Sequence, residues 1–250
     1  MIDTTATSNG YVTVSYESDK ACKARVKFGD KYQNFSIPND GTPKVLPLCS
    51  GNGAYSIILY RHQTGTTYLP VFSKYVQVAL SSPFAPYLHT NTYCEYTKDS
   101  LCYKIAQTIT ANAHSDMEMF SRIYWWIINN IEYDKDLAER VQAETWWLPY
   151  PDDVVNTHKS ICWGYTSLCA AMCRAVAIPC KMCVGTPKDS GRHAWTEVYL
   201  NTGGEIQGIR YMPNAYSRTD LTWMDSSNGN KYVAEFIMDD SNFENIDYLG

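Results

Sequence analysis

The hydrophobic period of this chain changes once, and that change limits what it can fold into. Up to about residue 80, apolar residues recur at every second position. Val12, Val14 and Tyr16 form one such run, Ala24, Val26 and Phe28 a second, Tyr55, Ile57 and Leu59 a third, and Val76, Val78 and Leu80 a fourth. Side chains of a strand alternate between two faces, so this pattern suits strands with one buried face. Turn-forming clusters such as Gly51-Asn52-Gly53 separate the runs, which predicts an antiparallel all-β unit, a small β-sandwich. Ser81-Ser82-Pro83-Phe84-Ala85-Pro86 then breaks the alternation, giving a domain over residues 1–86 and a second over 87–250.

Beyond that break the spacing becomes helical. Leu101, Ile105 and Ile109 share one helix face. Ser115 with Glu118 three residues later is a capping-box start, followed by the apolar stripe Phe120, Ile123, Ile127 and Ile131. A third helix is predicted to begin at Cys162, carry Tyr165, Leu168, Cys169, Met172 and Val176 on one side, and stop before Pro179. Strands are predicted over Cys180 to Gly185, His193 to Leu200 and Leu221 to Asp225. Helices followed by antiparallel strands make an α+β domain.

The bulk properties exclude several functions. A net charge of −5 over 250 residues gives no support for nucleic-acid or membrane-surface binding, so neither partner is expected. No apolar run approaches the roughly 18 residues that a membrane-spanning helix needs. No basic, apolar leader follows Met1, while abundant Tyr, Asn, Thr and Ser with few Lys lean towards an extracellular or cell-surface protein.

Nine cysteines are an odd number, so pairing leaves at least one thiol over. Cys22 with Cys49 and Cys94 with Cys102 are the candidate disulfides. Cys169 and Cys173, four apart on a helix, read as small core residues. Cys180 and Cys183 lie three apart on a strand and point to opposite faces, so they do not share an ion. With no second pair at ligand spacing, neither a metal nor another cofactor is expected.

Three segments carry chemistry. Lys159-Ser160-Ile161-Cys162-Trp163-Gly164-Tyr165 places a cysteine at a helix start, where unpaired N–H groups and the helix dipole favour a thiolate. Gly191-Arg192-His193-Ala194-Trp195-Thr196-Glu197-Val198 places a histidine at a strand start, and Leu221-Thr222-Trp223-Met224-Asp225 ends in a carboxylate. Together they can converge into Cys162 as nucleophile, His193 as base and Asp225 as the group orienting the imidazole. The backbone N–H of Cys162 and the phenol of Tyr133 are the candidate oxyanion donors. Trp163, Trp195 and Trp223 each lie within two residues of a triad member and are candidate cleft walls, and Trp146-Trp147 is a candidate rim.

These motifs resemble the transglutaminase-like superfamily, in particular its bacterial members, over residues 95 to 235. The likeness includes Asn129-Asn130-Ile131-Glu132-Tyr133-Asp134 before the nucleophile and Cys173-Arg174-Ala175-Val176-Ala177-Ile178-Pro179 after it. His193 follows Cys162 by thirty-one positions and Asp225 follows His193 by thirty-two, spacings that resemble the family's. Ser160 and Ala177 stand where the family pattern has Gly. The resemblance implies a papain-like core, a central helix on an antiparallel sheet. It also implies a thiol hydrolase that attacks a peptide or amide carbonyl through a thioester. Protein or peptide, including cell-wall peptide, is the expected substrate. Amine transfer to protein glutamine and a non-catalytic surface-binding module on the same fold are the alternatives.

Overall fold

A computed structural model describes residues 1–143 and 150–250. The chain divides into two compact units, Met1–Thr92 and Tyr93–Gly250. The Ser81–Pro86 stretch lies inside the first. Pro86 closes on Gly10, where a Cβ would meet the proline N at 2.5 Å, and the Thr92 N–H donates to Val45 O at 2.9 Å.

The first unit holds seven strands: β1 (Ile2–Asp3), β2 (Tyr11–Val14), β3 (Cys22–Phe28), β4 (Lys31–Ile37), β5 (Lys44–Pro47), β6 (Gly53–Thr64) and β7 (Thr67–Val78). They form two antiparallel sheets, ordered β1-β2-β5 and β4-β3-β6-β7. The alternation of the sequence becomes burial. Val12 and Val14, then Ala24 and Val26, then Tyr55, Ile57 and Leu59 are all buried, while their neighbours reach outwards.

The second unit is α+β. Its helical half is α1 (Leu101–Thr110), α2 (Asp116–Asn130), α3 (Lys135–Ala143), α4 (Pro151–Thr157) and α5 (Cys162–Ala175), with the short strands β8 (Glu132–Tyr133) and β9 (Lys159–Ser160) between them. The rest is β10 (Cys180–Pro187), β11 (His193–Leu200), β12 (Gly204–Ile206), β13 (Ile209–Tyr211), β14 (Ala215–Thr219), α6 (Leu221–Ser226), α7 (Lys231–Met238) and β15 (Phe243–Tyr248). An antiparallel sheet ordered β14-β11-β10-β15 supports α5, which packs on β10 and β11. From Gly164 to Arg174 every residue of α5 is buried. Large side chains such as Leu168 and Met172 contribute about 1.5–3 kcal/mol each through this burial, which makes α5 the axis of the core.

Local signals explain most boundaries. Ser115 caps α2 by accepting from the Glu118 N–H at 3.1 Å, and the Glu118 carboxylate reaches back to the His114 N–H at 2.8 Å. The run Leu221 to Asp225, expected as a strand, is helical instead. Asp220 caps it, accepting from the Trp223 N–H at 3.0 Å. A five-residue segment carries too few periods to separate the two structures, so the cap decides.

The disulfide expectation is corrected. None of the nine cysteines is bridged. Cys22 donates its thiol to Lys20 O at 3.2 Å and Cys94 to Ser167 O at 3.5 Å. Burial pushes the pKa of the Cys102 thiol upwards, and the adjacent Asp152 carboxylate adds to this.

Ala177, standing where the family pattern has Gly, adopts φ +61° just beyond α5. A Cβ in the left-handed region costs about 1–2 kcal/mol, partly offset by the extra unfolded-state freedom of glycine. Ala177→Gly is therefore expected to stabilise the chain by roughly 0.5–1 kcal/mol. Chemical denaturation should show a higher midpoint with an unchanged slope, and a lower midpoint would contradict this account.

Candidate active site

Cys162 is the first residue of α5, and Ile161 before it is extended at φ −106° and ψ −179°. The Cys162 N–H therefore belongs to the first helical turn, whose donors have no acceptor within the helix. His193 opens β11 opposite Gly185 of β10 and is only 8% exposed. Its Nε2 lies 2.6 Å from Asp220 Oδ2, and Asp220 is fully buried. That bond leaves Nδ1 as the ring nitrogen available to the Cys162 thiol, with which the imidazole also interacts. Burial opposes the imidazolium, but the Asp220 charge and hydrogen bond and the adjacent Cys162 outweigh it, raising the His193 pKa to about 10.

The carboxylate that meets the imidazole is therefore Asp220, not Asp225. Asp225 lies on α6, where its Oδ2 is 2.7 Å from the Tyr165 hydroxyl. The same hydroxyl is 3.0 Å from Ile131 O, so one proton serves two acceptors. Burial raises the Asp225 pKa; the Tyr165 hydrogen bond opposes that, and the Glu132 charge adds to it. The two aspartates straddle Trp223, one three residues before it and one two after. The signal for Asp220 was its place as a capping residue at the end of β14. The antiparallel register pairs Thr196 with Thr219, so the chain beyond Thr219 runs alongside Trp195 towards His193.

Tyr133 is brought close by the parallel pairing of β8 with β9, which sets it opposite Ser160, two residues before Cys162. Partial burial raises its pKa and the Cys162 charge adds to this, so the phenol keeps its proton for donation. Tyr133→Phe is expected to lower kcat by about 10²-fold with little change in KM, as for loss of one oxyanion donor. An unaltered kcat would remove Tyr133 from the site.

The three tryptophans take different places. Trp223 stacks on His193 with centroids 4.5 Å apart and planes 11° apart. It also lines an open groove of about 500 Å³ with Tyr232, Val233 and Phe236. Trp195 is buried beneath the histidine, 6.5 Å from it and against Phe243, and belongs to the core. Trp163 packs beside the core and 6.3 Å from Tyr93. Trp146 and Trp147 lie outside the described residues. Glu197, on the same face of β11 as His193, takes the Lys181 ammonium at 3.2 Å.

Residues 103–214 match the family model described as the transglutaminase-like superfamily. Over 108 residues the chain is 32% identical to mouse kyphoscoliosis peptidase and 31% identical to the human one. Each alignment covers 39% of this chain and 16% of the relative, so this chain matches only a small part of those proteins. A crystallised protein from Cytophaga hutchinsonii aligns over 96% of this chain and 83% of its own, at 15% identity and a TM-score of 0.46. Red sea bream transglutaminase aligns over 88% of this chain and 49% of its own, at 10% identity and a TM-score of 0.35. Residues 103–214, within the second unit, are thus a transglutaminase-like superfamily region, and the unit has an α+β, papain-like core.

Proposed function

We propose that this chain is a cysteine hydrolase that opens peptide or amide bonds in a protein or peptide substrate. The observation that carries this reading is the buried His193–Asp220 pair, 2.6 Å long, beside a cysteine at a helix start. Cys162 attacks the carbonyl carbon as a thiolate while His193 holds the proton. The carbonyl oxygen gathers charge and takes hydrogen bonds from the Cys162 N–H and the Tyr133 phenol. His193 then protonates the leaving amine as the tetrahedral intermediate collapses to a thioester. It next takes a proton from water, which adds to the thioester and releases the acid and the thiol. Asp220 orients the ring throughout and compensates its positive charge. The curated relatives are named peptidases, which agrees with cleavage.

Amine transfer shares the thioester and differs in what resolves it. An acceptor site would raise the local amine concentration above the competition from water. Glu197 is the carboxylate of β11 nearest in sequence to His193, and its charge is already met by Lys181. That supports water as the acceptor.

Two measurements test the proposal. Only Cys49 and Cys162 among the nine cysteines are not buried, and of these Cys162 is the one paired with an imidazole. Iodoacetamide at pH 6 should therefore alkylate Cys162 at least about tenfold faster than Cys49. A glutamine-containing peptide pool offered with a fluorescent primary amine should yield cleaved or deamidated peptides by mass spectrometry. Cys162-dependent amine incorporation with little hydrolysis would replace the hydrolase by a transferase. An unreactive Cys162 would point to a binding module.

A further inference from the structure

The two cysteines of the Cys180-x-x-Cys183 pair face opposite ways, but one of them meets other sulfurs. Cys183 packs with Trp195 and Phe243. Cys180, at the start of β10, points under α5, where Cys169 and Cys173 lie four residues apart on one face. The three Sγ atoms all lie within 4.8 Å of one another, and all three residues are fully buried. Thr196 Oγ1 stands 3.7 Å from Cys169 Sγ and 3.2 Å from Thr219 O, which places an oxygen beside the sulfurs.

From this geometry we propose that Cys169, Cys173 and Cys180, with Thr196 Oγ1 as the fourth donor, form a structural site for a zinc ion between α5 and the sheet. Sulfurs about 2.3 Å from a tetrahedral zinc stand roughly 3.8 Å apart, a triangle that fits within the observed spread. Soft thiolates in a dry pocket suit zinc over calcium or magnesium. The charges also balance. Each thiol gives its proton to solvent as its sulfur bonds the ion, leaving three negative charges against two positive ones. The buried Arg174 guanidinium, which donates to Cys180 O at 3.1 and 2.7 Å, supplies the missing positive charge. The site lies on the core side of α5 and stabilises the fold, taking no part in the Cys162 chemistry.

The test uses the full chain, refolded from denaturant with reductant and zinc and then desalted. Elemental analysis should find about one zinc per chain and a raised melting temperature, since the ion binds the folded state alone. Cobalt in place of zinc should give the visible bands of a tetrahedral ion together with thiolate charge transfer. Cys180→Ala should retain at least about tenfold less zinc, whereas Cys183→Ala, on the opposite face, should retain all of it. Should Cys180→Ala fail to fold, the cobalt spectrum of the unmodified chain decides instead. Zinc far below one equivalent in that chain, cobalt without thiolate bands, or zinc retained by Cys180→Ala would each overturn the site. So would a disulfide within the cluster, seen as seven titrating thiols in denaturant instead of nine.

Discussion

Asp220→Asn is expected to lower kcat/KM by about 10³–10⁴-fold, while Asp225→Asn stays within about tenfold of the parent. An amide in place of the Asp220 carboxylate keeps the size of the side chain but removes the charge and presents the wrong partner to Nε2. The ring can then settle in the other tautomer, and Nδ1 no longer serves Cys162 correctly. Cys162→Ala sets the floor for the comparison. Asp225 touches Tyr165 rather than the imidazole, so its loss loosens the link between α6 and α5 and leaves the proton transfers in place. The pH dependence of stability separates the two variants further. The His193 pKa is raised to about 10, so its pairing with Asp220 contributes in full below the ordinary histidine value, about 6.5. That contribution fades as pH climbs from there through the folded value. The stability difference between the parent and Asp220→Asn should therefore be greatest near pH 6 and smallest near pH 10. Equal losses for the two aspartate variants, in rate and in pH dependence, would return the orienting role to open question.

Gly164→Ala is expected to reduce activity by about 10²-fold and stability by roughly 1–3 kcal/mol, and Ser160→Gly is expected to recover most of both. A Cβ on Gly164 would stand 1.8 Å from Ser160 Oγ and 2.6 Å from Ser160 Cβ. Something must move, and what moves is the first turn of α5 or the strand that leads into it. Both position Cys162, and a displacement of about 1 Å at the proposed nucleophile is enough for a loss of this size. The side chain responsible contributes little in return. Ser160 Oγ is buried with no hydrogen-bond partner, so its removal sacrifices no bond and relieves an unsatisfied group. Val154 Cγ2, 3.0 Å from the added Cβ, remains after Ser160→Gly, so recovery should be large but incomplete. A double variant no better than Gly164→Ala would show that Ser160 is not the obstacle. Circular dichroism melts and peptide turnover on the four chains of this cycle measure the coupling directly.

The sequence by itself determined the elements whose periods are long. Phe120, Ile123 and Ile127 mark a buried helix face, the alternation at Ala24 and Val26 marks a half-buried strand, and both are local patterns repeated often enough to be read. Cys162 and His193 were legible for the same reason, each standing at the start of a long, strongly patterned element. Asp220 was not. It precedes a six-residue helix too short to announce itself, and Asp225, just beyond Trp223, offers the same chemistry in the sequence. Only the register of β14 against β11, which aligns Thr219 with Thr196, decides which carboxylate reaches the imidazole. The cysteines divide in the same way. That Cys180 and Cys183 point apart follows from strand geometry, a property of neighbouring residues. That Cys180 meets Cys169 and Cys173 depends on how α5 lies across the sheet. Contacts between residues distant in the chain are set by packing, and a period along the chain carries no record of them.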